Sequence, residues 1–69
     1  MSSETRPSPV KEARKELGLR LIDVADKARM SVSHISMIEH GYTPAKASRE
    51  KLARALDGEP ADFWPEEYQ

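Results

Sequence analysis

The sequence predicts an all-α domain built from five short helices. Apolar residues recur at the helical spacing i, i+3 and i+7, as in Val10, Ala13 and Leu17. Serine and proline residues that favour helix starts alternate with glycines that favour helix ends. The sequence shows no alternating apolar and polar pattern typical of a strand. With 69 residues, the chain has room for one small core.

The first two helices are separated by a glycine. Ser8 precedes a proline, and this pair favours a helix start, because serine accepts a backbone N–H bond and proline at the first position wastes no donor. We therefore predict the first helix over residues 9–17, ended by Gly18. The second helix is predicted over residues 20–28, with an aspartate in its first turn that suits the helix dipole.

Three further helices follow the same rules. The third is predicted over residues 31–40, capped by its first residue and stopped by a glycine. Ser48 is predicted to cap the fourth, over residues 49–56. A last turn over residues 60–64 closes the core, and Pro65 is expected to end regular structure. Besides the first helix, the residues predicted to face the core are Leu21, Val24, Ala25, Ala28, Ile35, Ile38, Leu52, Ala55, Leu56, Phe63 and Trp64.

Composition narrows the class of protein. Hydrophobic residues are 38% and charged residues 33%, which is typical of a soluble globular chain. The chain has no cysteine, so disulfide frameworks and thiolate metal sites are excluded and a reducing cytoplasm is expected. There is no apolar run long enough for a membrane span and no secretory leader pattern. We expect an arm over residues 1–7, a domain over residues 8–64 and an acidic tail over residues 65–69.

Charge is distributed unevenly along the chain. All eleven basic residues lie at or before Arg54, together with seven acidic ones, which leaves a net charge of +4. The five acidic residues that follow, with no basic residue among them, give −5. A basic body indicates a polyanionic partner, although an imbalance of this size also arises by chance. The acidic end is expected to serve as a dimer element, a partner contact or a guard against non-specific nucleic-acid binding.

The predicted third helix has an outer face of small or slim side chains. Ile35 and Ile38 point toward the core, whereas Ser33, Ser36 and Met37 lie on the opposite side with no acidic residue among them. A helix with such short projections approaches its partner closely, and the DNA major groove, about 12 Å wide, admits a helix of this kind. The short turn before this helix is typical of a helix-turn-helix motif.

The segment LGLRLIDVADKARMSVSHISMIEHG, residues 17–41, resembles the lambda-repressor and Cro-like helix-turn-helix family, also called the XRE family. The resemblance continues through KLARALDG and covers about residues 9–64. The positions that carry it are Leu17, Gly18, Leu19, Val24, Ala25, Ser31, Ile35, Ser36, Ile38, Glu39 and Gly41. It implies a compact five-helix domain that binds double-stranded DNA, usually as a homodimer on a two-fold operator, and regulates transcription. A repressor is the expected form, with no enzymatic activity, cofactor or metal.

The resemblance also implies roles for individual residues. Those matching base-reading positions are Val32, Ser33, Ser36 and Met37. Other residues match phosphate-facing positions, or are basic or polar and lie near a helix start or in the loop after the third helix. These expected phosphate contacts are Arg20, Leu21, His40, Tyr42, Thr43, Lys46, Ser48 and Arg49. An ion pair between Arg14 and Glu39 is expected, formed and mostly buried. Arg6 is expected to add a minor-groove or phosphate contact.

The sequence departs from the family pattern at three informative positions. Leu21 and Met37 occupy positions that often hold glutamine, and Arg29 one that often holds glycine. Few specific contacts to bases are therefore expected, because no side chain of the third helix can form a bidentate pair with guanine or adenine. We expect specificity to depend on DNA shape and on the spacing of the dimer.

Plainer interpretations compete with these roles. Val32 and Met37 could pack into the core, and Leu21 could cover a helix junction as readily as flank a phosphate. Ile22 is predicted to be exposed and could mark a protein contact. The alternative function is an interaction module that binds a polymerase, a recombinase or a toxin through the helix-turn-helix surface, with Leu21, Ile22, Val32 and Met37. Tyr68 could contribute to a dimer.

The histidines and the catalytic side chains give little support to other functions. His34 and His40 are six residues apart, so they do not share a helical face, and a metal site is disfavoured. His40 is better explained as a phosphate neighbour or a helix C-terminal cation, whose protonation would tighten binding at lower pH. No partnered nucleophile or glycine-rich phosphate loop occurs, so an enzyme is not expected.

Overall fold

The computed structural model describes residues 8–68. This part of the chain forms helices connected by short turns, and no strand occurs within it, which confirms the all-α fold class. The elements are α1 (Pro9–Glu16), α2 (Leu21–Ala28), α3 (Val32–Glu39), α4 (Lys46–Ala55), α5 (Pro60–Phe63) and a short 3₁₀ helix (Pro65–Glu67).

Serine caps begin two of the helices, as the sequence predicts. The Ser8 hydroxyl accepts a bond of 3.3 Å from the backbone N–H of Lys11 at the start of α1. The Ser31 hydroxyl accepts one of 3.0 Å from the backbone N–H of His34 at the start of α3. Each bond satisfies a donor that the helix itself leaves free, so both starts are fixed locally.

The turn between α2 and α3 is made by a left-handed residue. Arg29 has φ +58° and ψ +47°, a conformation that favours glycine because a Cβ is crowded there. The turn is closed by the Met30 N–H, which donates to the Ala25 carbonyl at 2.9 Å. The arginine at this position therefore keeps the helix-turn-helix geometry at some conformational cost.

The start of α4 corrects one prediction. The helix begins at Lys46, and Ala45 occupies the N-cap position without a side-chain hydrogen bond. Ser48, the predicted cap, lies inside the first turn. The preceding Pro44 is fully buried, so its packing sets the point where the chain turns into α4 and overrides the local serine signal.

The core lies between α2, α3 and α4, with α1 and α5 closing it. α2 packs against both α3 and α4, α4 against α5, and α1 against α3 and α5. The buried residues of this core are Val10, Val24, Ala25, Ala28, Ile35, Ile38, Leu52, Ala53, Ala55, Leu56 and Trp64. Leu21 and Phe63, also predicted to be inside, are partly buried against them.

Two further expectations about the edges of the core are wrong. Leu17 is 43% exposed, because α1 ends at Glu16 and leaves Leu17 at the C-cap, where no further helical turn covers it. Pro65 does not end regular structure. It opens the 3₁₀ helix, where its missing N–H is not needed in the first turn.

Candidate nucleic-acid interface

The outer face of α3 is open to solvent. On the inner face, Ile35 is 0% and Ile38 4% exposed, so these two residues anchor the helix in the core. On the other side, Met37 is 52% and Val32 41% exposed, and Ser33 is exposed as well. Neither Met37 nor Val32 packs into the core, and α3 presents a narrow, uncharged surface.

Ser36 and His40 lie at the C-terminal half of this surface. Ser36 is partly exposed, and its carbonyl oxygen is 2.7 Å from Nδ1 of His40. With the proton on Nδ1, the imidazole donates to this carbonyl, which also accepts from the backbone N–H of His40 at 3.1 Å. His40 is exposed as a whole.

The loop between α3 and α4 continues the surface. Tyr42 is 48% exposed, and its backbone N–H donates to the Met37 carbonyl at 3.0 Å, which ties the loop to α3. Thr43 and Lys46 are also exposed. Pro44 lies between them and is buried, so it anchors the loop in the protein while the polar side chains remain exposed.

The start of α2 carries an exposed cation. The Arg20 guanidinium is bonded to both carboxylate oxygens of Asp23, at 3.0 and 3.1 Å, and its side chain remains 79% exposed. These bonds from the guanidinium, and the bond of 2.8 Å from the Arg20 backbone N–H, hold the pKa of Asp23 below its usual range. The next residue, Leu21, is partly buried against the core.

Arg49 is placed differently from the other expected phosphate contacts. Its side chain is only 13% exposed, and its Nη1 donates to the Pro44 carbonyl at 2.9 Å. Its Nε donates to the Tyr68 hydroxyl at 3.3 Å, and the guanidinium carbon lies 5.5 Å from the centre of the Tyr68 ring. Ser48, one residue earlier, is partly exposed. The Arg49 guanidinium is thus bonded within the protein.

The ion pair between Arg14 and Glu39 is present. Nε of Arg14 is 2.7 Å from Oε2 of Glu39, and Nη2 is 3.2 Å from Oε1, which makes the pair bidentate. Nη1 of Arg14 also donates to the Leu19 carbonyl at 3.0 Å. The side chain of Arg14 is 12% exposed and that of Glu39 is 4% exposed, so the pair is shielded from solvent. It connects α1 to the end of α3 and, through the Leu19 carbonyl, to the α1–α2 turn.

Sequence reasoning missed the contact between Arg49 and Tyr68. The two residues are 19 positions apart and belong to no shared periodic pattern, so no local signal indicates their proximity.

The expectation for Arg6 lies outside the described residues. Within residues 8–68, no group of three or more histidine, aspartate or glutamate side chains is placed to hold a metal ion. Over the same range, no helix has the length and apolar character needed to cross a membrane.

Comparisons with known proteins agree with the geometry of α2 and α3. No curated protein matches the chain. The model of a protein family described as helix-turn-helix (HTH_3) matches residues 10–63, which is most of the chain. This family comprises DNA-binding regulatory domains that are not typically enzymatic. With this match and an all-helical fold whose α2 and α3 are joined by a short turn, the chain belongs to the XRE/lambda repressor-like helix-turn-helix family.

Proposed function

We propose that this domain is a sequence-selective regulator of transcription that inserts α3 into the major groove of double-stranded DNA, and that it acts as a repressor. The observation that carries the proposal is the exposed face of α3. Val32, Ser33 and Met37 are open to solvent, while the opposite face of the same helix is locked into the core. A rigidly held helix with short, uncharged projections fits a groove about 12 Å wide.

The side chains on this face suit apolar and adaptable base contacts. Val32 and Met37 offer methyl and thioether surface to the C5-methyl groups of thymines. Ser33 and Ser36 each carry a hydroxyl that donates or accepts, so they bond to more than one base. Base discrimination by contacts is therefore modest, and sequence-dependent DNA shape supplies the remainder of the specificity.

The loop after α3 supplies contacts to the DNA backbone. Tyr42, Thr43 and Lys46 are exposed beside the reading face, and His40 adds an imidazole at its edge. Arg20 contributes from the start of α2, because an exposed ion pair of this kind is weak enough to be exchanged for a phosphate. Ser48 and Leu21 are both partly exposed and are the remaining residues that we place next to phosphates. These groups fix the position of α3 on the duplex but carry no sequence information.

A single copy of the domain reads a short site, so we propose a homodimer on a two-fold operator. α3 has eight residues and is about 12 Å long at 1.5 Å per residue, enough for a few base pairs. Two copies read two half-sites about 34 Å apart, one turn of the duplex. The longest dimension of the domain is 34 Å, so neighbouring copies can meet on one face of the DNA.

The proposal is tested by selection from a pool of random duplexes, followed by binding measurements over a salt series. We expect an enriched two-fold motif and a log–log slope of several units. Met37→Ala should weaken binding to the motif more than binding to unrelated DNA. Lys46→Gln should weaken both and lower the slope by about 0.9, whereas the control Lys51→Gln, on the outer side of α4, should change neither. No enriched motif, or a slope near zero, would overturn the proposal.

A second function is supported by one observation. Ile22 is 58% exposed, the highest value among the large apolar residues that the structure describes, and it follows partly buried Leu21 at the start of α2. Such a residue suits a contact with a protein such as a polymerase, a recombinase or a toxin. Amide NMR signals of residues 31–46 separate the two functions. Duplex DNA shifts them reversibly with salt if the domain binds DNA, and leaves them unchanged if it binds only a protein through Ile22.

A further inference from the structure

The contacts of Arg49 begin with a buried carbonyl in the DNA-facing loop. Pro44 is among the most completely buried residues, and its carbonyl oxygen accepts from Nη1 of Arg49 at 2.9 Å. A buried carbonyl without a partner is costly, so the guanidinium stabilises the loop in this path. If the Arg49 side chain turned away from the loop toward a phosphate, this bond would be lost and the carbonyl would be left unsatisfied.

The other side of the Arg49 guanidinium is held by Tyr68. The tyrosine hydroxyl accepts from Nε at 3.3 Å, and the ring lies 5.5 Å from the guanidinium carbon, within the range of a cation–π contact. The 3₁₀ helix holds the backbone from which this ring projects, because the Tyr68 N–H donates to the Pro65 carbonyl at 3.0 Å. Glu67 is 3.9 Å from Nη1, which adds weak electrostatic attraction.

We propose that Arg49 is a positioning residue for DNA binding, held by Tyr68, and that the turn Pro65–Tyr68 thereby controls the geometry of the loop that contacts phosphates. This inference rests on the proposed function and changes the role expected for Arg49, from a direct phosphate contact to the support of Thr43 and Lys46 through the Pro44 carbonyl. The end of the chain then acts on DNA binding through the loop.

The inference is tested first on the protein without DNA. Order parameters from NMR relaxation report the mobility of the amides of Thr43, Ala45 and Lys46. Arg49→Gln and Tyr68→Ala should each increase this mobility and leave the amides of α3 unchanged. Tyr68→Phe, which loses the hydroxyl but keeps the ring, should have an intermediate effect. The double variant should be no more mobile than the stronger single variant, because both remove one connection.

Binding of the same variants to duplex DNA over a salt series then separates positioning from direct contact. Arg49→Gln and Tyr68→Ala should each lower affinity by roughly threefold to tenfold, the scale of the net contribution of one ordinary intramolecular hydrogen bond. Their log–log slopes should equal that of the unmodified protein. Lys46→Gln serves as the matched control, with a slope lowered by about 0.9, the contribution of one phosphate contact.

Two results would overturn the inference. One is a slope lowered by about 0.9 in Arg49→Gln, which would identify a direct phosphate contact. The other is a loop whose mobility does not change in Tyr68→Ala. If the unmodified protein fails to bind DNA, the proposed function is lost, but the order parameters still decide whether Arg49 and Tyr68 hold the loop.

Discussion

Removal of the Glu39 carboxylate is expected to destabilise the fold severely. The change Glu39→Ala leaves the Arg14 guanidinium, whose side chain is 12% exposed, without its bidentate partner. Breaking a buried ion pair in this way costs about 3–5 kcal/mol, and we expect the lower end because Arg14 retains its bond to the Leu19 carbonyl and some access to water. A chain of 69 residues has a total stability of roughly 3–10 kcal/mol, so this loss is a large part of it.

The assay is thermal unfolding followed by circular dichroism, with urea denaturation as a second measure of the free energy of unfolding. A loss of about 3 kcal/mol should lower Tm by roughly 12–24 °C in a domain of this size. The double variant Arg14→Met with Glu39→Leu should be much closer to the unmodified protein, because it leaves no unpaired charge. A Tm for Glu39→Ala within about 2 °C of the unmodified protein would refute the reasoning, since it would mean a contribution of only a few tenths of a kcal/mol.

Three local changes have smaller expected effects. Arg29→Gly should raise the free energy of unfolding by about 1 kcal/mol in urea denaturation, because glycine relieves the left-handed backbone at φ +58°; a decrease would contradict this. Ser31→Ala should lower it by about 1 kcal/mol through loss of the α3 cap, and an unchanged urea midpoint would count against that role. Arg20→Gln should raise the pKa of Asp23, followed by NMR of its carboxyl carbon, because the guanidinium bonds that lower it are lost. The folded-state pKa of Asp23 lies below its unfolded value, so this carboxylate stabilises the fold above the usual aspartate pKa of about 3.9. This contribution is lost as pH falls below that value. An unshifted Asp23 titration in Arg20→Gln would show that the guanidinium does not lower the pKa.

The helical pattern of the chain could be predicted well where local chemistry decides it. The caps at Ser8 and Ser31 use a side chain three residues from its partner N–H, and this spacing is visible in the sequence. The inner faces of α2 and α3 follow from apolar periodicity, because a helix with one apolar stripe has only one way to bury it. Exposure of Val32 and Met37 follows from the same rule, since Ile35 and Ile38 already fill the inner side.

The start of α4 and the surroundings of Arg49 could not be predicted in this way. Ser48 is as good a cap as Ser8 when only its neighbours are considered, but burial of Pro44 moves the helix start to Lys46. Arg49 looks like a free cation near a helix start, and only the folded chain shows that Tyr68 lies against it.

The sequence by itself determined the all-α class, the helix-turn-helix order and the outer face of α3, because these depend on interactions within one or two helical turns. Only the tertiary structure decided where α4 begins, that Leu17 is left outside and that Arg49 is bonded to Pro44 and Tyr68. Those features depend on contacts between segments far apart in the chain, and such contacts are fixed by how the whole core packs. The spacing of residues within a single helix does not indicate these long-range contacts.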